Sequence, residues 1–424
     1  MAVKFNPVAV LLSLAPVIAV LAGQNAPLAQ MSIAALALMM LAISLRGPDI
    51  DHIDRSLAGV RWSLLLIPLY LVLQLLPLPK PASHPIWASA GEAMPGASFG
   101  AVTVDRGDTL FALLSVLATA GLLIVTTAVA RDRRRVEVLL GATAAVASIV
   151  AFAVFLLNFT DAFPALRSAI PTDGATLLSG FAAVSNAAIL IATIDRFAAG
   201  RPAKRAGAGS LLLAFAGLTM GGAGLLRAGD PPQLIAVCLG LGCLAMLAVV
   251  RRFDLPALPA ALLCVMAGIV WLVLEAWSAD RNAAAVSLLL RSAAPAQVTP
   301  QLEAMVTEAR WFGAGAGAFD DLAKLYCGAD IAARPVAPSL AVTWSVELGR
   351  FGCALALVSG AAVLLKLVRA VFGRGRDWIY PAVAAISVAL AATPLVLGTG
   401  LLNPAAAMVL MILLGIGLAQ SYSH

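Results

Sequence analysis

Residues 310–352 read RWFGAGAGAFDDLAKLYCGADIAARPVAPSLAVTWSVELGRFG. Here the longest polar stretch of the chain turns back into apolar sequence. It opens on Arg310 and Trp311, passes through alternating glycines at 313, 315 and 317, and carries Asp320, Asp321 and Lys324. It then becomes apolar again around an isolated Glu347 and Arg350. Whether this is the edge of a soluble domain or a loop between membrane spans decides the fold, and the flanking sequence answers that. Of the 424 residues, 61% are hydrophobic and only 12% are charged, with a mean hydropathy of +0.96. A soluble fold has no means of hiding so much apolar surface.

Apolar runs of about 18 to 22 residues recur along the chain, each long enough to cross roughly 30 Å of hydrocarbon as a helix. Backbone groups in lipid must be paired within the segment, and alternating strands of about ten residues are absent, so the spans are helical. The expectation is an all-α polytopic integral membrane protein, one membrane domain over 1–424. About twelve transmembrane helices lie near 5–22, 28–45, 61–79, 109–130, 137–157, 175–195, 208–226, 233–250, 257–277, 340–365, 378–397 and 404–421. The first run follows Lys4 without a clear cleavage site and reads as a retained span, not a removed signal.

Loop charges then alternate. The loops around Arg46, Arg131–Arg135, Arg201–Arg205, Arg251 and Lys366 carry about twice the basic residues of the others, which places both termini in the cytoplasm. By this reading the protein is a multi-pass protein of the inner, cytoplasmic membrane, and the long loop 278–339 is periplasmic. The net charge of +6 therefore reports topology, and nucleic acid is not an expected partner. Of the five cysteines only Cys327 falls in that loop. A disulfide framework or thiolate metal site is accordingly not expected.

Two outer loops are more than turns. The first, 80–108, follows Pro79, contains Pro81, Pro85, His84 and Trp87, and suits a short surface helix near 86–93. The second, 278–339, contains short helices, one over 300–311, before the glycines break it.

Ionisable groups in or near spans are the first candidates for chemistry. Glu347 and Arg350, at i and i+3, are expected to pair on one helix face inside the membrane; they either neutralise each other or present one member to a cavity beneath the long loop. Arg227 ends a span at the outer surface. It is either a snorkelling arginine paired with Asp230 or a fork for phosphate oxygens. The glycine turn at Gly313, Gly315 and Gly317 is either a plain flexible turn or, beside Arg310, a cradle of N–H groups for an anion. The three histidines are His52, His84 and His424. The long loop thus offers no imidazole, and its acid–base candidates are Glu303, Glu308, Asp320, Asp321 and Asp330.

The order of these features resembles the superfamily of O-antigen ligases and O-antigen or exopolysaccharide polymerases. The resemblance is carried by a long outer loop before the third-last span, Arg227 at an outer span end, RWFGAGAGAF at 310–319 and Tyr326 downstream. VELG at 346–349 leads into a span, TVDRGDTL stands at 103–110, and LLNPAAAMVLMILLGIG at 401–417 looks like that family's last span. It implies glycan transfer from a polyprenyl-diphosphate carrier to a sugar acceptor at the outer face, without metal or cofactor. Carried over residue by residue, Arg227, Arg310 and Glu347 become catalytic. Arg291, Gly313, Gly315, Gly317, Tyr326 and Arg350 become substrate-binding. The implied partners are the lipid-linked glycan donor, the glycan acceptor, membrane lipids and other envelope-biosynthesis proteins. One slot is unmatched: ligases have a histidine just before the span carrying Glu-x-Gly, whereas residues 338–344 hold none. Two alternatives stand beside this reading. One is a catalytically inactive homologue serving as a structural subunit. The other is a transporter, which the scarcity of charge within the spans disfavours.

Overall fold

The computed structural model of the chain describes residues 6–45, 47–79, 83–87, 89, 99–159, 175–198, 206–228, 231–252, 299–327, 340–373, 377–396 and 403–422. It is an all-α structure. Its helices are α1 (Asn6–Ala22), α2 (Ala26–Ser44), α3 (Gly47–Leu57), α4 (Arg61–Leu75), α5 (Arg106–Val129), α6 (Arg133–Phe159), α7 (Ala175–Ala198) and α8 (Ala206–Ala228). They continue as α9 (Pro231–Arg252), α10 (Thr299–Glu308), α11 (Phe319–Cys327), α12 (Leu340–Glu347), α13 (Gly349–Gly373), α14 (Ile379–Val396) and α15 (Pro404–Ser421). The one sheet among the described residues is a two-residue antiparallel pairing of β1 (Leu78–Pro79) with β2 (Phe99–Gly100).

Eight helices, α2, α5 to α9, α13 and α15, are long and apolar enough to cross a bilayer, and α3 with α4 would form a ninth span broken by an 80° bend. All eight fall on expected spans. Helices α1 and α14 also do, but are shorter apolar helices. The expected span at 257–277 and both ends of the loop 278–339 lie outside the described residues.

At the centre stands α15. Its sequence is apolar all round, and its residues from Ala405 to Gln420 are buried except the partly buried Met411, as the pattern of an interior helix requires. Asn403 starts it by accepting the Ala405 N–H (2.9 Å), with Pro404 in the first turn. A Cβ at Gly415 would collide with Thr126 of α5, and one at Gly417 with Ala384 of α14. Small residues thus let three helices close on one axis, which is how packing is gained where lipid offers no hydrophobic drive. Gln420 donates to the Ala130 carbonyl at the end of α5 (2.7 Å).

The end of the bundle that carries most of the basic residues is tied by charge. Arg133 and Arg196 converge on Glu137 (3.2 and 2.5 Å), Arg133 also meets Asp377 (3.2 Å), and Arg131 meets Asp49 of α3 (2.6 Å). Helix α3 corrects the sequence reading, which left 46–60 as a loop. Its three aspartates mask an apolar stripe of Ile50, Ile53 and Leu57 at helical spacing. Lys366 of α13 holds its end, donating to the carbonyls of Ser56 and Ala58 (2.5 and 2.6 Å).

At the opposite end α10, α11 and α12 build a small core of their own from Leu302, Met305, Phe319, Leu322, Val342 and Val346. The helix expected over 300–311 is α10. Of the surface helix expected over 86–93, Ile86, Trp87 and Ser89 are helical, and the rest lies outside the described residues.

Candidate functional site

The two motifs singled out from sequence, 103–110 and 310–319, meet in space. Val104 donates to Ala314 (2.7 Å). The Thr109 hydroxyl, which exchanges a bond with Thr103 (2.6 Å), donates to Ala316 (2.9 Å). The glycine turn lies between this segment and the start of the span at 349. Gly313, Gly315, Gly317 and Gly349 all have positive φ, from 66° to 106°. A Cβ at Gly313 would overlap the Glu347 carbonyl, and one at Gly349 would overlap the backbone of Arg310 to Gly313. Glycine is required here by backbone conformation and by backbone touching backbone.

Those contacts correct two expectations. Glu347 and Arg350 do not share a helix face. The helix ends at Glu347, Leu348 makes a turn, and the crossing helix α13 begins at Gly349 in the left-handed region. Glu347 therefore lies ahead of the span, and no ion pair joins it to Arg350. The Arg350 guanidinium instead stands over the Trp311 ring, 5.5 Å from its centroid, on the exposed side.

The glycine turn, second, is not an open cradle for a ligand anion. Gly313 donates to Arg310 (3.1 Å), Ala314 to Val346 (2.9 Å), Gly315 to Glu347 (3.0 Å) and Ala318 to Gly315 (3.1 Å). Ala316 donates to Gln74 Oε1 (3.3 Å). The two N–H groups that do meet an anion, those of Gly317 and Phe319, meet the carboxylate of Glu347 (3.4 Å from Phe319). Gly313, Gly315 and Gly317 thus shape the site and hold Glu347; they have no donor left for a substrate.

Glu347 is the electrostatic centre of this end. Burial pushes its carboxyl up to about 7, and the N–H groups of Gly317 and Phe319 pull it down. The charges of Asp320, at the start of α11, and Asp108, at the start of α5, push it up further. A carboxyl poised near neutrality is able both to take and to give a proton.

Arg310 and His84 form a second, basic group. The exposed Arg310 donates from Nη1 to the Ser83 carbonyl (3.3 Å), anchoring the segment around Ser83 to the glycine turn. His84 is next to it: burial, and then the Arg310 charge, hold its imidazole below the ordinary range, so it is neutral at pH 7. Its Nδ1 accepts the Ile86 N–H (3.4 Å), which leaves the proton on Nε2. Sequence reading looked for a histidine within the long loop and missed one that another loop brings beside it. Only the pairing of His84 with Trp87 in a short proline-rich loop could have signalled it.

Three aspartates, Asp105, Asp108 and Asp321, have oxygens within 4.8 Å of one another. Asp105 is engaged in capping α5, accepting from Gly107 and Asp108 (2.6 and 3.0 Å), and Lys324 neutralises Asp321 (2.8 Å). Tyr326, expected to touch substrate, donates to Glu308 (2.5 Å) and ties α11 to α10. Arg227 is the second-last residue of α8, with its side chain outside the described set, and Arg291 lies outside it altogether. Missed by sequence reading were Tyr70 and Gln74 of α4. Both reach the Phe312 carbonyl (3.0 and 2.9 Å), from a helix that reads as plain lipid-facing sequence. The chain matches no family model and no curated protein.

Proposed function

We propose that the protein transfers or polymerises glycans from a polyprenyl-diphosphate carrier at the outer face of the cytoplasmic membrane. In this reading twelve spans put both termini in the cytoplasm, and the elements from Thr299 to Glu347 belong to a periplasmic loop. The observation that carries it is that the backbone contact between Arg310–Gly315 and Glu347–Gly349, where the chain leads into α13, brings to one end of the bundle two groups of opposite electrostatic character. One is Glu347, half-buried and poised near pH 7. The other is Arg310 with a neutral His84.

Glycosyl transfer needs both. The acceptor hydroxyl attacks the anomeric carbon and loses its proton to the Glu347 carboxylate, while the bond from that carbon to the diphosphate oxygen breaks. Negative charge grows on the departing diphosphate. Arg310, the His84 Nε2–H and, from the end of α8, Arg227 are donors suited to it. Arg350 beside Trp311 offers a further cation at the level where a lipid headgroup would sit. Changing Arg310 to Ala or Glu347 to Gln is expected to abolish the envelope glycan at unchanged protein level. Normal glycan amount and length in both variants would overturn the reading.

One observation favours a second reading, a catalytically silent structural subunit. Glu347 already accepts hydrogen bonds at the start of α11, as a purely structural cap would. Under that reading Glu347→Gln lowers stability and leaves the glycan intact.

A further inference from the structure

Gln74 is the one amide in the apolar run LYLVLQLLP of α4. A buried amide without partners costs a few kcal/mol. Gln74 is 0% exposed, and every polar atom of its side chain is engaged across the chain. Nε2 donates to the carbonyls of Phe312 (2.9 Å) and Glu347 (3.1 Å), while Oε1 accepts the Ala316 N–H (3.3 Å). Only this orientation of the amide satisfies all three. Its backbone carbonyl accepts from Thr103 (3.2 Å) as well. Tyr70 lies four residues earlier, on the same helix face, and donates to Phe312 and Leu348 (3.0 and 2.5 Å).

The pattern has a physical origin. Reversing the chain at Gly313 gives the Phe312 carbonyl no backbone donor among the described residues, and the carbonyls of Glu347 and Leu348, where α12 ends, have one each, from Gly315 and Gly352 (3.0 and 3.3 Å), at the edge of the membrane, where water is scarce. Tyr70 and Gln74 supply the further donors. In doing so Gln74 grips both walls of one site, the backbone of Glu347 on one side and Ala316, next to Gly317, on the other. The glycine turn and the carboxylate that it meets are thereby set against each other by a helix belonging to neither.

We propose that Gln74, supported by Tyr70, is a positioning residue that fixes the Glu347 side chain against the N–H groups of Gly317 and Phe319. The inference rests on Glu347 being the acid–base group of the proposed transfer reaction. The charged groups facing Glu347 are Asp320 from α11 and Asp108 from α5; α4 presents the neutral Gln74 and Tyr70.

The test uses full-length protein in lipid nanodiscs and follows the protonated-carboxyl band by infrared difference spectroscopy, with Glu347→Gln identifying the band. Gln74→Met fills similar volume and keeps water out, yet removes all three side-chain bonds. It is expected to raise the proton affinity of Glu347 about tenfold, because burial persists while the two N–H groups lose their aim. Tyr70→Phe, which removes a single oxygen, is expected to give a shift in the same direction of about threefold, and decides the matter if Gln74→Met does not fold. A Gln74 that merely braces the fold would lower thermal stability and leave the band's midpoint in place. An unmoved or lowered midpoint in folded Gln74→Met, or in Tyr70→Phe alone, overturns the proposal. The functional reading fails separately: normal glycan in Glu347→Gln removes the transfer role and says nothing against a shifted midpoint in Gln74→Met.

Discussion

At Glu347 burial opposes ionisation while two backbone N–H groups favour it, and burial prevails, lifting the carboxyl from its ordinary 4.5 to about 7. A folded-state value above the unfolded one means that the native state binds the proton more tightly. The stabilisation from this group is therefore complete below about pH 4.5 and is lost as pH rises through about 7. Glu347→Gln, which carries the neutral form permanently, is expected to flatten the fall in melting temperature across that window. A wild-type curve as flat as the variant's would show that the carboxyl is not buried as described. Catalysis runs the opposite way, since a base must be ionised, so glycan transfer is expected to rise through the same interval. Sequence singled out Glu347 but gave it the wrong partner. The i, i+3 spacing to Arg350 assumed a continuous helix, and nothing in apolar periodicity reports that Gly349 takes a positive φ. The positive φ that alternating glycines allow is present, but the anion that Gly317 meets is the chain's own carboxylate.

Among the elements, α3 shows how a helix hides in a charged segment. GPDIDHIDRSL has too many aspartates for a hydropathy window to notice, and its identity as a helix rests on the stripe of Ile50, Ile53 and Leu57. It meets α4 at 80°, so the helical bonding stops there: turn bonds from Ala58 and Val60 satisfy the carbonyls of Arg55 and Leu57 (3.3 and 2.9 Å). The Lys366 ammonium bonds those of Ser56 and Ala58, as cations near a helix C-terminus commonly do. Lys366→Met keeps the aliphatic stem and removes the donor. The expected loss is about 1–3 kcal/mol, read as faster amide hydrogen exchange in α3 with the remaining helices unchanged. Exchange in α3 at the wild-type rate would mean that Arg131–Asp49 and packing hold it without the lysine. The division of 340–365 into α12 and α13 escaped sequence reading for the converse reason. Both pieces are apolar, and a window of about 19 residues averages over the break.

For the whole molecule, hydropathy alone located every one of the eight long apolar helices, because lipid imposes length and backbone pairing on each span separately. It had no access to how distant loops converge. Contacts such as Val104 with Ala314, or Gln74 with Glu347, are set by packing between elements more than two hundred residues apart in the chain. The charges nonetheless sort cleanly between the two ends of the bundle. One end holds Arg131, Arg133, Arg196 and Lys366 with their partners; the other holds His84, Arg310, Lys324 and Glu347. If the positive-inside bias sets orientation, the first end faces the cytoplasm, and any lipid-linked donor must be met at the second. In a cysteine-free background, Leu325→Cys, at a position 67% exposed on α11, is expected to react with a membrane-impermeant maleimide in intact spheroplasts. Arg134→Cys, exposed at the start of α6, is expected to react only after lysis. The reverse pattern would invert the protein. It would place Glu347 and Arg310 on the nucleotide-rich side of the membrane and remove the physical basis for a donor carried on an outer-leaflet lipid diphosphate.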